Sequence, residues 1–278
     1  MTDSGRREAL DASRRAEVRV ILPTLGERLE SLAETLQSIS DQDVCTRVVM
    51  VVPRSAAAAR RLADDRGILT VDDPGRGLSA AMNAGLLAPG REPYYAWLND
   101  DDLLRPHGLR TLVAMMDANP PAPVVYGACD YIDPQGRLLG ASRMGPWAAR
   151  ILSWGPDLVP MPSTLTRAAD ARAVGGYDER LRFAMDLDML LRLRRRGPFV
   201  STREAVAAFR WHPDSLTVAN RSSSVAEAEL VKRRHLPAPL RPLSPLWHLP
   251  VRWATHAAAR GVSRRARRVG TEASATNL

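Results

Sequence analysis

The chain has 278 residues, enough to bury a large core, so one elaborated domain with an appendage is the default expectation. Hydrophobic content is an ordinary 45%, and no apolar stretch approaches the roughly 20 residues of a spanning helix. The net charge is +8, and almost all the cation is arginine, which admits phosphorylated substrates, an anionic membrane surface or nucleic acid as partners. The first 17 residues lack the apolar core of a secretory signal. Cys45 and Cys129 have neither metal-ligand nor disulfide-framework spacing, so a cytoplasmic, reduced location is expected. There is no internal repeat, zinc pattern or RNA-recognition signature. A nucleic-acid role would rest on the arginines alone and is not expected.

Residues 1–16 are polar and read as a frayed arm. Val18 to Thr24 reads as a strand that ends at Pro23, where proline cannot donate to a ladder. Leu29, Leu32, Ala33, Leu36 and Ile39 make a helical stripe. Arg47 to Val52 is a nearly continuous apolar strand, as expected when both faces are covered. A helix over Ala56 to Asp65 and a short strand over Ile68 to Val71 follow. This alternation predicts a parallel sheet with right-handed crossovers. Gly75 and Gly77 make a loop before a small-residue helix, with Ser79 expected as its cap and Asn83 one turn on.

The fourth strand is Tyr94-Tyr95-Ala96-Trp97-Leu98, and it runs into Asn99-Asp100-Asp101-Asp102. Ligands bind beyond the carboxyl ends of strands in open α/β sheets. Adjacent carboxylates repel one another, and a hard divalent cation such as Mg²⁺ or Mn²⁺ would relieve this. The same acids would also suit a solvated turn before a helix starting near Pro106, with Asp102 as its cap. That helix is expected to stop at Asn119-Pro120-Pro121. Val124 to Gly127 reads as a strand, and Ala128 to Leu139 as a hairpin turning at Pro134-Gln135-Gly136. Antiparallel pairing thus replaces crossovers, which predicts a second half on the same sheet. Trp147 to Thr166 is loop-rich and apolar, suited to line a cleft. Gly175 to Glu179 is a turn, and the helix opening near Met185 carries Asp186 and Asp188 in its first turn. Asp186 shares a face with Leu190 while Asp188 points elsewhere, so one acid is expected to face the cleft. A last strand, Ala205 to Trp211, leads to His212. Val225 to Arg234 reads as a helix, after which Pro237, Pro239, Pro242 and Pro245 break the pattern. Leu246 to Arg268 mixes aromatics with arginine, which fits an interfacial membrane helix and equally a helix packed on the core.

Residues 17–218 resemble a family-2 glycosyltransferase of the GT-A fold, in the bacterial surface-polysaccharide branch. The resemblance is carried by several segments in order: Val20 to Thr24, Gly77 to Gly85 as G-x-S-x-A-x-N-x-G, and Asn99 to Asp102. It continues through Ile132 to Gly136, Pro162-Ser163-Thr164, Gly175 to Glu179 and Met185 to Leu193. The resemblance implies a Rossmann-like, mostly parallel sheet flanked by helices, with a mixed-sheet acceptor half. Residues 1–16 would be a flexible arm and 219–278 a basic helical extension. It further implies an inverting transfer from a nucleotide-diphosphate sugar to a glycan or lipid-linked acceptor. A divalent metal would be held by Asp101 or Asp102, and Asp186 would be the general base. His212 stands where such enzymes often complete the metal or diphosphate site. Pro23, Thr24, Asn83, Asn99 and Asp100 are candidate donor contacts by position, and Trp154 and Ser163 are candidates for the acceptor side. Asp188 is expected to pair with Arg192.

The sequence departs from the family pattern at four points. Val52-Pro53-Arg54-Ser55 stands where members usually hold base and ribose with two acids, which makes Arg54 a candidate nucleotide contact. Asn99 replaces the first acid of the metal motif. Met82 stands where arginine is common, and Met185 where an acid commonly precedes the catalytic aspartate. Two alternatives stay open at this level, a catalytically degenerate GT-A binding protein and a nucleotidyltransferase. A cytoplasmic setting is expected, with peripheral contact at the inner membrane face through the basic C-terminus as an open reading beside a helix packed on the core.

Overall fold

The structure, a computed structural model, describes residues 16–211, 221–244 and 246. His212, most of the N-terminal arm and nearly all of the stretch from Leu246 onward lie outside the described residues. Val18–Pro23 (β1), Thr46–Val52 (β2), Leu69–Asp72 (β3) and Tyr94–Trp97 (β4) form the parallel half. Side chains alternate along β1. Val18, Val20 and Leu22 enter one apolar cluster with the helices Leu29–Ser40 (α1) and Ala57–Asp65 (α2). Ile21 enters the other cluster, with helix Leu78–Leu87 (α3). Crossovers to both faces bury β1 and β4 throughout and β2 over its second half, which is why these read as largely apolar runs.

Two local devices hold α3 against β1. A Cβ at Gly85 would lie 2.4 Å from Ile21 Cγ2, so only glycine lets the helix approach this closely. Arg19 is a buried exception within β1. Its guanidinium pairs with Glu92 at 2.5 Å and donates to the carbonyls of Gly85, Leu86 and Ala88 at the end of α3. A cation therefore satisfies carbonyls that the helix itself leaves unpaired.

The second half is mixed. Leu103–Leu104 (β5) and Gly108–Ala118 (α4) lead to Val124–Ile132 (β6) and Leu138–Ser142 (β7). Pro146–Ile151 (α5), Thr164–Arg167 (β8), Ala168–Ala173 (α6), Met185–Leu193 (α7), Val200–Arg210 (β9) and Arg221–His235 (α8) follow. Among the described residues nine strands form one sheet in the order β3-β2-β1-β4-β8-β6-β9-β5, with β7 on β6. β8 pairs antiparallel with β4 and β6 and so joins the halves, whereas β6 and β9 are parallel.

Several expectations are corrected. The segment from Val124 is one strand to Ile132, and the hairpin turn then follows at the expected Pro134-Gln135-Gly136. The last strand starts at Val200, not Ala205; its polar opening, Ser201 to Glu204, lacks the apolar alternation by which strands are read. Ser79 does not cap α3. Its hydroxyl donates instead to the Leu181 carbonyl at 2.7 Å, tying α3 to the chain before α7. The helix after the acids begins at Gly108, with β5 intervening, so Asp102 is not its cap.

Candidate functional site

β1, β2, β3 and β4 all end at one edge, because parallel strands bring their carboxyl ends together. Pro23 closes β1 and is buried. The next residue, Thr24, donates from its hydroxyl to Asp100 Oδ2 at 2.5 Å and accepts the Gly26 amide at 2.9 Å. Arg28 pairs with Asp101 at 2.5 Å. Arg54, just past β2, and Arg60, on α2, both bind Asp72 at the end of β3, at 2.7 and 2.5 Å. These guanidiniums hold the Asp72 carboxyl below its ordinary range. The Arg54 side chain is 85% exposed, so a ligand can reach it.

The three adjacent carboxylates have separate environments. Asp100 keeps open surface, and burial of the rest of the group raises its pKa despite the Thr24 bond. Asp101 lies beside Arg28. Asp102 is fully buried. Its Oδ1 accepts the Arg210 amide at 3.1 Å, its Oδ2 accepts Asn99 Nδ2 at 3.0 Å, and its carbonyl accepts Thr35 Oγ1 at 2.8 Å. Burial, then the Asp101 charge, pushes the Asp102 carboxyl up to about 8 against those hydrogen bonds. Asn99 also accepts from Trp97 Nε1 at 3.0 Å, so its amide braces the turn from inside. Among the described residues no three His, Cys, Asp or Glu side chains group to hold a metal. Asp100 and Asp101 nonetheless fit a hard cation that takes one or two carboxylates and completes its shell with phosphate and water.

Arg210 is a residue that sequence reasoning missed. It is buried at the end of β9, and its side chain donates to the Asp101 carbonyl (2.9 Å), the Pro134 carbonyl (2.6 Å) and Glu34 (2.6 Å). One guanidinium thus joins the acidic turn, the β6–β7 turn and α1. Its only sequence signal is an arginine closing an apolar strand, which also suits an exposed end.

In the mixed half, Asp186 stands in the first turn of α7, where its Oδ1 accepts the Leu187 amide at 2.7 Å. It keeps some accessible surface yet lies deep among surrounding atoms. Desolvation, ahead of the Asp157 and Glu227 charges, raises its pKa to about 7. Asp188 faces elsewhere, as its spacing predicts. It binds Arg192 at 2.7 Å and also His235 Nε2 at 2.9 Å. Burial alone would raise the Asp188 carboxyl, but His235 and Arg192 outweigh it and hold the group below its ordinary range.

The remaining named residues fall into two kinds. Asn83 is engaged by the protein itself. Its Nδ2 donates to the Tyr177 carbonyl (2.9 Å) and Glu179 (3.2 Å), and its Oδ1 accepts the Tyr177 amide (2.8 Å). Ser163 is fully buried and donates to the carbonyls of Gly127 and Pro160 at 3.0 and 2.9 Å. Trp154, by contrast, is 50% exposed. Met82 and Met185, at two of the departures, are buried in the same apolar cluster as Trp97 and Tyr177. Apolar packing therefore accounts for both.

Comparison with known proteins adds the following. The profile described as "Glycosyl transferase family 2" matches residues 19–170, just over half of the chain. An uncharacterized protein, y4gI, of Sinorhizobium fredii is 32% identical over 155 residues; the match spans 54% of this chain but 16% of that protein. Two solved structures share the fold. The mannosyltransferase PcManGT from Pyrobaculum calidifontis, in complex with GDP-Man and Mn²⁺, superimposes with a TM-score of 0.62 at 20% identity, over 95% of this chain and 81% of that one. S. aureus TarS 1-349, in complex with UDP, gives 0.61 at 15% identity, over 79% of this chain and 65% of that one.

Proposed function

Because the chain belongs to glycosyl transferase family 2 and has the GT-A fold, we propose that it moves a sugar from a nucleotide-diphosphate donor to a hydroxyl of a glycan or lipid-linked acceptor, with inversion. The observation that carries this reading is Asp186. A carboxylate whose pKa lies at about 7 is poised to take a proton near neutral pH, and it keeps accessible surface in the first turn of α7. The acceptor oxygen forms its bond to the anomeric carbon as the bond to the diphosphate oxygen breaks. The acceptor's proton passes to Asp186, and the pair of electrons leaves on the diphosphate. General-base help of this kind is typically worth about 10²- to 10⁴-fold.

On the donor side, Thr24, Arg54 and Asp100 stand at the strand ends where a nucleotide can lie. Arg54 replaces the usual acids with a donor fork, so it would recognise acceptor atoms of the base or ribose. Asp101, with Asp100 beside it, would hold a divalent cation, which supplies charge neutralisation to the departing diphosphate. Asp102 braces this turn from beneath, given its complete burial. GDP-Man with Mn²⁺ in one structural neighbour and UDP in another support a nucleotide donor and a metal, while differing in the base. Trp154 offers an exposed ring at the acceptor side. No helix among the described residues is long and apolar enough to cross a membrane. A cytoplasmic setting in cell-envelope polysaccharide synthesis, with peripheral membrane contact, completes the proposal.

The test is thermal stabilisation by UDP, dTDP and GDP, with and without Mn²⁺, for wild type and Asp101→Ala. A ligand that binds only the native state contributes about 2.7 kcal/mol at about 100 Kd. Stabilisation by one nucleotide that needs metal and Asp101 is the expected result. No stabilisation under any condition would move the binding-protein alternative, without a nucleotide donor, to first place.

A further inference from the structure

The helix α8 lies beyond the family match, yet its inner face reaches the surroundings of Asp186. Glu227, Val231, Lys232 and His235 recur at helical spacing and line one face. Val231 is fully buried in the cluster that contains α7. His235 holds Asp188 at 2.9 Å. Lys232 donates to the Gly155 carbonyl at 2.5 Å, in the loop between Trp154 and Asp157. Glu227 makes the densest set of contacts. Its carboxylate accepts the backbone amides of Arg182 (3.0 and 3.1 Å), Phe183 (2.5 Å) and Ala184 (2.8 Å).

Those three amides lead directly into α7. The residue at its N-cap is Ala184, whose side chain can accept nothing. The chain entering a helix needs partners for its amides, and a carboxylate placed just ahead of a helix start also favours the positive end of the dipole. Glu227 supplies that partner from another element and so fixes the turn that leads into α7, its last contact, the Ala184 amide, lying two residues before Asp186. Lys232, from the same helix, holds the loop at Gly155, two residues before Asp157. We propose that Glu227 is a positioning residue for the Asp186 base, and that α8 is part of the active site rather than of an appended tail. This rests on the glycosyltransferase reading above.

The charged and titratable groups around Asp186 come from every packed element. They are Asp157 from the loop after α5, Tyr177 from the glycine turn, the Asp188–Arg192 pair on α7, and Glu227, Lys232 and His235 on α8. Removing the Glu227 charge therefore removes one of the two carboxylates that disfavour ionised Asp186.

The experiment compares the full chain as wild type, Glu227→Gln, Glu227→Asp and Glu227→Ala. Release of nucleoside diphosphate from UDP-, dTDP- and GDP-hexoses, with free monosaccharide as acceptor, is followed across pH. Nucleotide-diphosphate thermal stabilisation is recorded alongside. Glu227→Gln keeps the size and one acceptor oxygen, so it serves if Glu227→Ala does not fold. The expected result for Glu227→Gln is a kcat roughly 10- to 100-fold lower, with donor KM and nucleotide stabilisation unchanged. Its acid limb should lie at lower pH, whereas Glu227→Asp, which keeps the charge, should hold the limb in place. A Glu227→Gln protein with wild-type kcat and acid limb overturns the inference. So does a parallel loss of donor affinity and melting temperature, which marks a merely structural role. A wild type that neither binds any nucleotide nor turns over any donor overturns the parent reading and this inference with it. Turnover by wild type with indifferent variants overturns this inference alone.

Discussion

The parallel half, β3-β2-β1-β4, and the mixed half, β8-β6-β9-β5, hold their polar groups in different ways. At the ends of the parallel strands, Asp72 and Asp101 pair with arginines that are substantially exposed, the Arg28 and Arg54 side chains at 42% and 85%. Such pairs contribute little to stability, and a charged ligand can exchange with them. The mixed half has exposed pairs too, such as Arg180 with Asp178, but it adds a set of enclosed polar groups. Asp188, Lys232, Ser163 and Arg210 are buried, and each is tied to a partner on another element. Breaking an enclosed pair leaves an uncompensated group and costs far more. Under the proposed function, the exposed pairs would let a charged ligand exchange in, and the enclosed ones would keep the Asp186 carboxylate in place.

The largest effect that would test this contrast is at Asp186. Asp186→Asn should lower kcat by about 10²- to 10⁴-fold and leave nucleotide-diphosphate stabilisation at its wild-type value. Loss of nucleotide binding in that variant would mean that the two halves are not separate sites. Next come the adjacent acids. Asp102→Ala should cost about 1–3 kcal/mol for each buried donor left unpaired, Arg210 N–H and the Asn99 amide, read as a fall in melting temperature without ligand. Asp101→Ala removes a buried partner but leaves an Arg28 side chain that is 42% exposed, so it should lower the ligand-free melting temperature less than Asp102→Ala does, and it should abolish the metal-dependent increment. A reversal of those two outcomes would exchange their roles.

Gly176 sharpens the enclosed half further. It has φ +71°, and a Cβ there would lie 2.6 Å from Asn83 Oδ1. Gly176→Ala should destabilise by about 1–3 kcal/mol in denaturant unfolding, through backbone strain and the displaced Asn83 bridge. The pH dependence follows from Asp186. Its folded pKa of about 7 exceeds its ordinary 3.8, so the folded state retains a proton that the unfolded chain releases. The resulting contribution is fully present below about 3.8 and is lost as pH rises through about 7, so stability should fall over that window. Asp186→Asn should flatten this part of the curve in melting experiments. The kcat/KM of the wild type should rise over the same range as the base ionises. The smallest stability effect is at Trp154, which is half exposed. Trp154→Ala should change stability by less than about 0.5 kcal/mol and act on acceptor KM alone.

The parallel half was readable because its physics is local. Fully covered strands must be apolar throughout, and β1, β2 and β4 were found within a residue or two of their ends. The Asp188–Arg192 pair followed from a spacing of one helical turn. Less could be read where contacts are distant in sequence. Ser79 is a good cap by residue type, yet its partner is Leu181, and Asn83 bonds to a turn near residue 177. No local rule foretells such pairs. The docking of α8 was equally hidden, because its contact face is Glu227, Lys232 and His235 around one buried valine, with no apolar stripe to announce it.

The amino-acid sequence by itself determined the crossover half, the edge where its strands end, and a carboxylate at the start of a late helix. Each depends on periodicity or on neighbours within one turn. The tertiary structure decided that Asp101 and Asp102 are buried while Asp100 keeps open surface. It also decided that Arg210 braces their turn, and that a helix from beyond the family match lies against the Asp186 side of the cleft. Those outcomes depend on burial and on partners about 40 to 110 residues away, and desolvation is a property of the packed protein rather than of any segment.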